Sequence, residues 1–300
     1  MRETETYRAL LAQLKNHLAF LPDKPEETLE STLDALWHLS AGKAYTAEMA
    51  IQHPLPALSE AQYKQLTRYV QERIEGKPLS HITGKQNFMG IEMHVTKDAL
   101  IPRKETEILG KLVSSLISES AHKTEHPLVV DVCTGMGNLP LAYAYSFPNA
   151  RILAADLSEK AIELAKENAT TLNLSNAITW FVGDLLHPLD DEKYAEQVDI
   201  ISCNPPYISS GKLEKMPAEI IGHEPEMAFN GGPFGIKILS RLLKEGLPYL
   251  KGGGWLCFEV GLGQGPGMQQ LLERNPSYQQ VRTATDAEGN IRALAAQKHL

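Results

Sequence analysis

The chain has 300 residues, with 29 Lys+Arg against 37 Asp+Glu for a formal net charge of −8, and 43% of its residues are hydrophobic. That supplies a core for one large domain or two modest ones and excludes a disordered chain. Its longest apolar runs, such as Leu128–Val132 and Ile152–Ala155, fall far short of the ~20 residues that cross a bilayer. The opening Met1-Arg2-Glu3-Thr4 is charged and shows no secretory apolar segment. A soluble, cytoplasmic protein without a membrane partner is expected.

The first third reads as helical. Tyr7, Leu10, Leu11, Leu14 and Leu18 recur on one helical face, and a second helix is expected over Glu27–Leu39. A third opens at the capping box Ser59-Glu60-Ala61-Gln62 and ends at Gly76-Lys77-Pro78. Around Met89-Gly90 the period changes to two, with Ile91, Met93 and Val95 alternating with Glu92 and His94, so a β-hairpin leads to Ile101-Pro102-Arg103.

Strand and helix then alternate. A helix over Thr106–Ile117 precedes a strand over Leu128–Val132, a helix over Leu139–Phe147 and a strand over Arg151–Ala155. Ser158 caps a helix to Leu172, and strands over Ile178–Val182 and Val198–Cys203 follow. A helix over Ile236–Tyr249, a strand over Trp255–Val260, a short helix near Met268–Arg274 and two weaker β segments complete the chain. Apolar strands separated by helices predict a parallel sheet covered on both faces, with ligands beyond the carboxyl ends of its strands.

Several functions lack their residues. Cys133, Cys203 and Cys257 form no Cys-x-x-Cys pair and read as reduced, buried side chains at strand ends. His223-Glu224 is followed by Pro225, which forbids the helix of a His-Glu-x-x-His site, so no metal is expected. The first 84 residues hold nine Lys/Arg against eleven Asp/Glu, and no basic block carries interleaved aromatics, so direct binding of duplex DNA is not expected. Gly261–Gly267 follows a late strand, but Pro266 stands where a dinucleotide-binding helix would open, and the run reads as a structural turn.

Four strand ends carry the chemistry. After the first comes Asp131-Val132-Cys133-Thr134-Gly135-Met136-Gly137, whose glycines let a ligand approach the backbone at a helix N-terminus, or simply make a tight turn. After the second, Asp156 is placed to accept both hydroxyls of a ribose or to help Ser158 cap a helix. After the third, Asp184 suits an adenine amino group, and together the three ends point to an adenosine-containing ligand. The fourth reads Asn204-Pro205-Pro206-Tyr207. Two prolines stiffen the turn and remove two donors, leaving the Asn204 side-chain oxygen and the Pro205 carbonyl as acceptors for a planar NH2 group on which Tyr207 can stack.

Asn204-Pro205-Pro206-Tyr207 resembles the signature of methyltransferases that use S-adenosylmethionine to methylate a nitrogen on an sp2 carbon. Gly84 to Phe88, the run Leu100-Ile101-Pro102-Arg103-Lys104-Glu105-Thr106-Glu107, Glu224-Pro225, Gly231-Gly232 and Leu250-Lys251-Gly252-Gly253-Gly254-Trp255 resemble the HemK/PrmC-like family, which methylates a glutamine amide of peptide chain release factors. The resemblance implies an α/β fold: a class I, Rossmann-like, doubly wound, mainly parallel sheet with a small N-terminal helical domain joined by a β-hairpin. Its expected bounds are a substrate-recognising bundle over 1–84, the hairpin over 85–104 and the methyltransferase domain over 105–300.

By the same resemblance, Asn204, Pro205, Pro206 and Tyr207 are catalytic and, with Arg103, bind the substrate. S-adenosylmethionine is the cofactor, held by Asp131, Cys133, Thr134, Gly135, Met136, Gly137, Asp156, Leu157, Asp184, Leu185 and Asn204. The family's glycine at 133 is Cys here, which fits if its backbone stays out of the positive-φ region. Met136, Lys104 and Pro233-Phe234 also depart from the family pattern. Besides a release factor, a small-molecule or peptide amide or amine stands as an alternative acceptor. An amino group of a nucleic acid and a non-catalytic S-adenosylmethionine-binding role are weaker alternatives.

Overall fold

A computed structural model describes residues 1–122, 124–189, 191–217 and 219–300, with the Asp191 side chain left out. The chain divides into two compact units. The first comprises residues 1–97, 101–104 and 216–224, and the second 98–100, 105–215 and 225–300.

The first unit contains α1 (Glu5–Lys15), α2 (Leu29–Ser40), α3 (Ala47–Ala50), α4 (Glu60–Ile74) and α5 (Leu79–Thr83), followed by the hairpin strands β1 (Lys85–Phe88) and β2 (Ile91–His94). Thr28 and Ser59 close capping boxes on α2 and α4, so each helix starts where its first free N–H groups find side-chain acceptors. Leu14, Leu33, Leu36, Trp37, Leu66 and Val70 are fully buried, and the Trp37 ring packs edge-on to Tyr63 at 5.5 Å. Met89 and Gly90, at φ 49° and 81°, turn the hairpin in the sense that matches strand twist.

A buried ion cluster is part of this unit. Lys24 contacts Glu219 at 2.8 Å, and Arg73 reaches Glu219 at 2.9 Å and Glu27 at 3.1 Å, all four side chains being nearly or fully buried. Burial pushes the Glu27 carboxyl up. Glu219 is also pushed up by burial, but Lys24 and Arg73 outweigh that and hold it below its usual value. Nothing in the sequence pattern places Glu219 with these helices.

The second unit begins with α6 (Thr106–Ala121) and continues through β3 (Leu128–Val132), α7 (Asn138–Ser146), β4 (Arg151–Asp156), α8 (Glu159–Thr171), β5 (Ile178–Val182), α9 (Asp191–Tyr194), β6 (Val198–Cys203) and α10 (Ser210–Leu213). After a 3-10 turn at Glu226–Ala228 come α11 (Lys237–Glu245), β7 (Leu250–Glu259), α12 (Gly265–Glu273), β8 (Tyr278–Thr285) and β9 (Ile291–Lys298). The seven strands run in the order β5-β4-β3-β6-β7-β9-β8. The first five are mutually parallel, while β9 is antiparallel to both β7 and β8. This is the expected α/β, doubly wound, mainly parallel architecture. No helix among the described residues is long and apolar enough to cross a membrane.

The short helices α3, α5, α9 and α10 were not expected from the sequence, several helix ends shift by a few residues, and three further differences have a physical reason. α11 stops at Glu245 rather than Tyr249, because Pro248 disfavours helix at the residue before it. β7 starts at Leu250 rather than Trp255: Val198 pairs with Leu250 and Ile200 with Trp255, so the glycines at 252–254 lie in a bulge inside the strand. The helix expected at Met268 opens earlier, at Gly265, with Pro266 in its first turn, where a missing N–H costs nothing.

Candidate active site

Strand order places the site. β3 continues to β4 on one side of the sheet, while β6 returns to the other side of β3, so the carboxyl ends of β3 and β6 form the switch point where such sheets bind ligands. Val132 is the register partner of Cys203, which sets the loop at 133–137 beside the loop at 204–207.

The first loop alternates its backbone hand. Cys133, Gly135 and Gly137 lie at φ 57°, 57° and 83°. The condition set by the sequence for Cys133 is therefore not met: it occupies the left-handed region, where a Cβ crowds the following carbonyl at a cost of about 1–2 kcal/mol. Gly137 is required, since a Cβ there would stand 2.8 Å from the Trp180 ring. Asp156 organises the loop from the end of β4, its Oδ2 accepting the Gly135 N–H at 2.8 Å and its Oδ1 the Ser158 N–H at 2.9 Å. Burial pushes the Asp156 carboxyl up, opposed by those backbone donors.

The remaining expected cofactor residues divide. Asp131 is fully buried and accepts the Ser202 hydroxyl, so its side chain turns into the protein behind the loop. Burial pushes its carboxyl up to about 7, against the lowering influence of the Ser202 and Thr134 hydroxyls. Thr134, Met136 and Leu185 are also buried, which leaves mainly their backbones to face a ligand. Leu157 is 60% exposed beside Asp156. Asp184 is ion-paired to Arg241 on α11 at 2.9 Å, a partner the sequence reading missed.

S-adenosylmethionine, the group implied by the motifs, fits these residues. Left-handed positions alternating along 133–137 form the kind of N–H concavity that takes a carboxylate, and a Cβ on Gly135 would meet nothing within 4 Å. Each Asp156 oxygen holds one backbone N–H and keeps a second lone pair for a ribose hydroxyl.

The second loop is braced from three directions. Asn204 Nδ2 donates to Thr106 Oγ1 on α6 at 3.1 Å, while Asn204 Oδ1 meets no donor among the described residues. The Tyr207 hydroxyl donates to Glu259 Oε1 at the end of β7, also at 3.1 Å. Gln264 Nε2 donates to the Tyr207 carbonyl at 3.1 Å. Gly235 presses on the same carbonyl so closely that a Cβ there would lie 2.2 Å from the Tyr207 oxygen. Its neighbour Phe234 is 82% exposed.

Burial pushes the Glu259 carboxyl up to about 7, against the hydroxyls of Thr106 and Tyr207 and the charge of Arg292. Glu259 and Gln264 were not singled out from the sequence, and Thr106 appeared only inside a quoted motif. A charge closing the apolar strand Trp255–Glu259 was the available signal.

Arg103, expected to bind the substrate, is held by partners of its own unit. Its guanidinium is 7% exposed and is engaged within the first unit by Glu224, Asp23 at 2.9 Å and the Ile101 carbonyl at 3.0 Å. These partners fix the orientation of its guanidinium.

Comparison with known proteins adds kinship. The methyltransferase small domain family matches residues 111–246, and the PrmC N-terminal domain family matches residues 20–84. A release factor glutamine methyltransferase of Moorella thermoacetica is 34% identical over 227 residues, 76% of this chain and 77% of that protein. One from Bradyrhizobium diazoefficiens is 30% identical over 90% of this chain and 89% of that protein. Among solved structures, the hMettl16 catalytic domain in complex with a MAT2A 3′UTR hairpin superposes with a TM-score of 0.54 at 17% identity, covering 76% of this chain and 80% of that one, which shows the shared fold.

Proposed function

The chain belongs to the release factor glutamine methyltransferase family, and on that premise we propose that it methylates the side-chain amide nitrogen of the glutamine in the Gly-Gly-Gln loop of a peptide chain release factor. It is an S-adenosylmethionine-dependent methyltransferase. When bound, the cofactor supplies an electrophilic methyl group on a sulfonium centre.

The backbone of 133–137 and the Asp156 carboxylate are the groups that would hold its amino-acid end and ribose. At the acceptor, the difficulty is that an amide lone pair is delocalised into its carbonyl. Asn204 Oδ1 and the Pro205 carbonyl take one N–H each, which fixes the NH2 plane and favours electron density on nitrogen. Tyr207 bounds that plane. The amide proton, acidified as the nitrogen is alkylated, stays held at these two oxygens until water removes it, so no strong base is required. Such positioning supplies several kcal/mol, up to ~7–11 in well-oriented reactions.

The observation that carries this reading is the Asn204 amide, whose donor end is taken by Thr106 and whose acceptor end is open. The test is transfer of labelled methyl from S-adenosylmethionine to a purified release factor, with a Gln→Ala control in its Gly-Gly-Gln loop. Label confined to the intact glutamine is expected. Cofactor binding without transfer would overturn the acceptor assignment and point to small-molecule amides or amines.

A further inference from the structure

An asparagine amide can present either end to a substrate, and a threonine hydroxyl can donate or accept. The contact between Asn204 and Thr106 therefore does not by itself decide which end of Asn204 faces outward. The deciding group lies one step further back. Glu259 ends β7 inside the protein, 1% exposed, with Tyr207 donating to its Oε1, while Oε2 closes no hydrogen bond. The Thr106 hydroxyl, which already receives Asn204 Nδ2, lies close enough to lower the pKa of this carboxyl, and the open Oε2 is the acceptor its hydrogen would take.

We propose that Glu259 is the positioning residue of the Asn204–Tyr207 loop, setting through Thr106 which end of the Asn204 amide meets the substrate. This rests on the amide-methylation reading. An ionised carboxylate has no hydrogen to give, so it draws in the hydroxyl hydrogens of both Tyr207 and Thr106. With its hydrogen committed, Thr106 can only accept, and Asn204 must turn Nδ2 toward it. Oδ1 then faces out, as an acceptor for the substrate N–H. One carboxylate thereby orders both ends of the tetrapeptide.

Among the described residues, the charges around Glu259 leave it without an ion pair of its own. Arg292 on β9 approaches it, but both terminal guanidinium nitrogens bond the Glu105 carboxylate at the start of α6. Tyr207, Arg292 and Glu105 are the titratable groups that face it. Protonated Glu259 gains a hydrogen that it can donate to Thr106. That frees the Thr106 hydrogen for Asn204 Oδ1 and reverses the amide.

The experiment uses the full chain and three readouts. Glu259→Gln carries an NH2 donor in the same shape, and its turnover on the release factor is expected to fall ~100-fold while the dissociation constant for S-adenosylmethionine stays within about twofold. Thr106→Val should lose as much, and Thr106→Ser should recover most of it. Wild-type turnover should decline as pH falls through about 7, a limb missing from Glu259→Gln.

The third readout needs no substrate. The side-chain NH2 resonances of Asn204, identified by their loss in Asn204→Asp, should titrate with a midpoint near 7 in the wild type and be flat in Glu259→Gln. Wild-type turnover by Glu259→Gln, equal loss of turnover and cofactor affinity, or Asn204 resonances that ignore pH would overturn the proposal. Should Glu259→Gln fail to fold, Thr106→Val and the wild-type titration decide. Should the wild type methylate no release factor, the functional reading fails and the titration still judges Glu259.

Discussion

Asp156 accepts the backbone N–H of Gly135 at 2.8 Å, tying the end of β4 to the loop that follows β3. The carboxylate is thus both a candidate ribose ligand and the anchor of the loop that would grip the other end of the cofactor. Asp156→Ala should therefore raise the dissociation constant for S-adenosylmethionine by more than one lost hydroxyl contact, on the order of 100-fold, since a hydrogen bond to a charged group contributes about 1.5–3 kcal/mol. Calorimetric titration measures it, and an unchanged constant would reject the assignment.

Asn204→Ala separates binding from transfer. It removes the oriented acceptor without touching 133–137 or Asp156, so turnover should drop at least ~100-fold, as for loss of one preorganised polar group. Cofactor affinity should stay near wild type. Retained turnover would eliminate the amide cradle as the source of catalysis.

Asp131 makes stability depend on pH. Its pKa is raised from 3.8 to about 7 in the folded protein, so the native state keeps a proton that the unfolded chain has released. This contribution to stability is complete below the unfolded pKa and disappears as pH rises through the folded one. From about pH 5 to about pH 8 the wild type should lose ~2–4 kcal/mol relative to Asp131→Asn, a shift of one pKa unit corresponding to about 1.36 kcal/mol. Urea unfolding across that range is the measurement. Parallel curves for the two proteins would contradict the burial argument. Glu259 has the same sign and should leave Asp131→Asn with a residual slope.

Cys133 holds a left-handed backbone with a side chain attached. Removing the side chain relieves strain but loosens the unfolded chain, so Cys133→Gly should change stability by no more than about 1 kcal/mol. Cys133→Val adds branching at the crowded carbon and should destabilise by about 1–2 kcal/mol more. Thermal melts of both variants check this, and a valine variant as stable as wild type would mean that the loop relaxes.

What could be read in advance follows from how locally each feature is encoded. Strands β3, β5 and β6 were legible to the residue because each is a short run of mostly apolar residues that stops at a turn-forming segment, Cys133-Thr134-Gly135, Gly183-Asp184 or Asn204-Pro205. The start of β7 was hidden, since Gly252, Gly253 and Gly254 signal a turn, and only pairing with β6 shows that they bulge within a strand. Met136 and Leu185 looked like ligand contacts by position, but burial is decided by elements far away in sequence. Glu259 shows locally only as a charge closing an apolar strand. Its significance arises where the start of α6, the end of β7 and the loop after β6 converge.

Glu219 lies 195 residues beyond Lys24 and 146 beyond Arg73, yet it bonds both inside the helical unit. On a ribosome, the loop carrying Lys24 and the helix carrying Arg73 emerge long before the acid they enclose. At ~5–20 residues per second, the wait is on the order of ten seconds. Through that interval the bundle must keep its cationic centre wet or loosely formed, because Glu27 alone cannot match both cations and burying the unmatched charge costs several kcal/mol. The N-terminal unit is thus the first to be synthesised and among the last to be sealed.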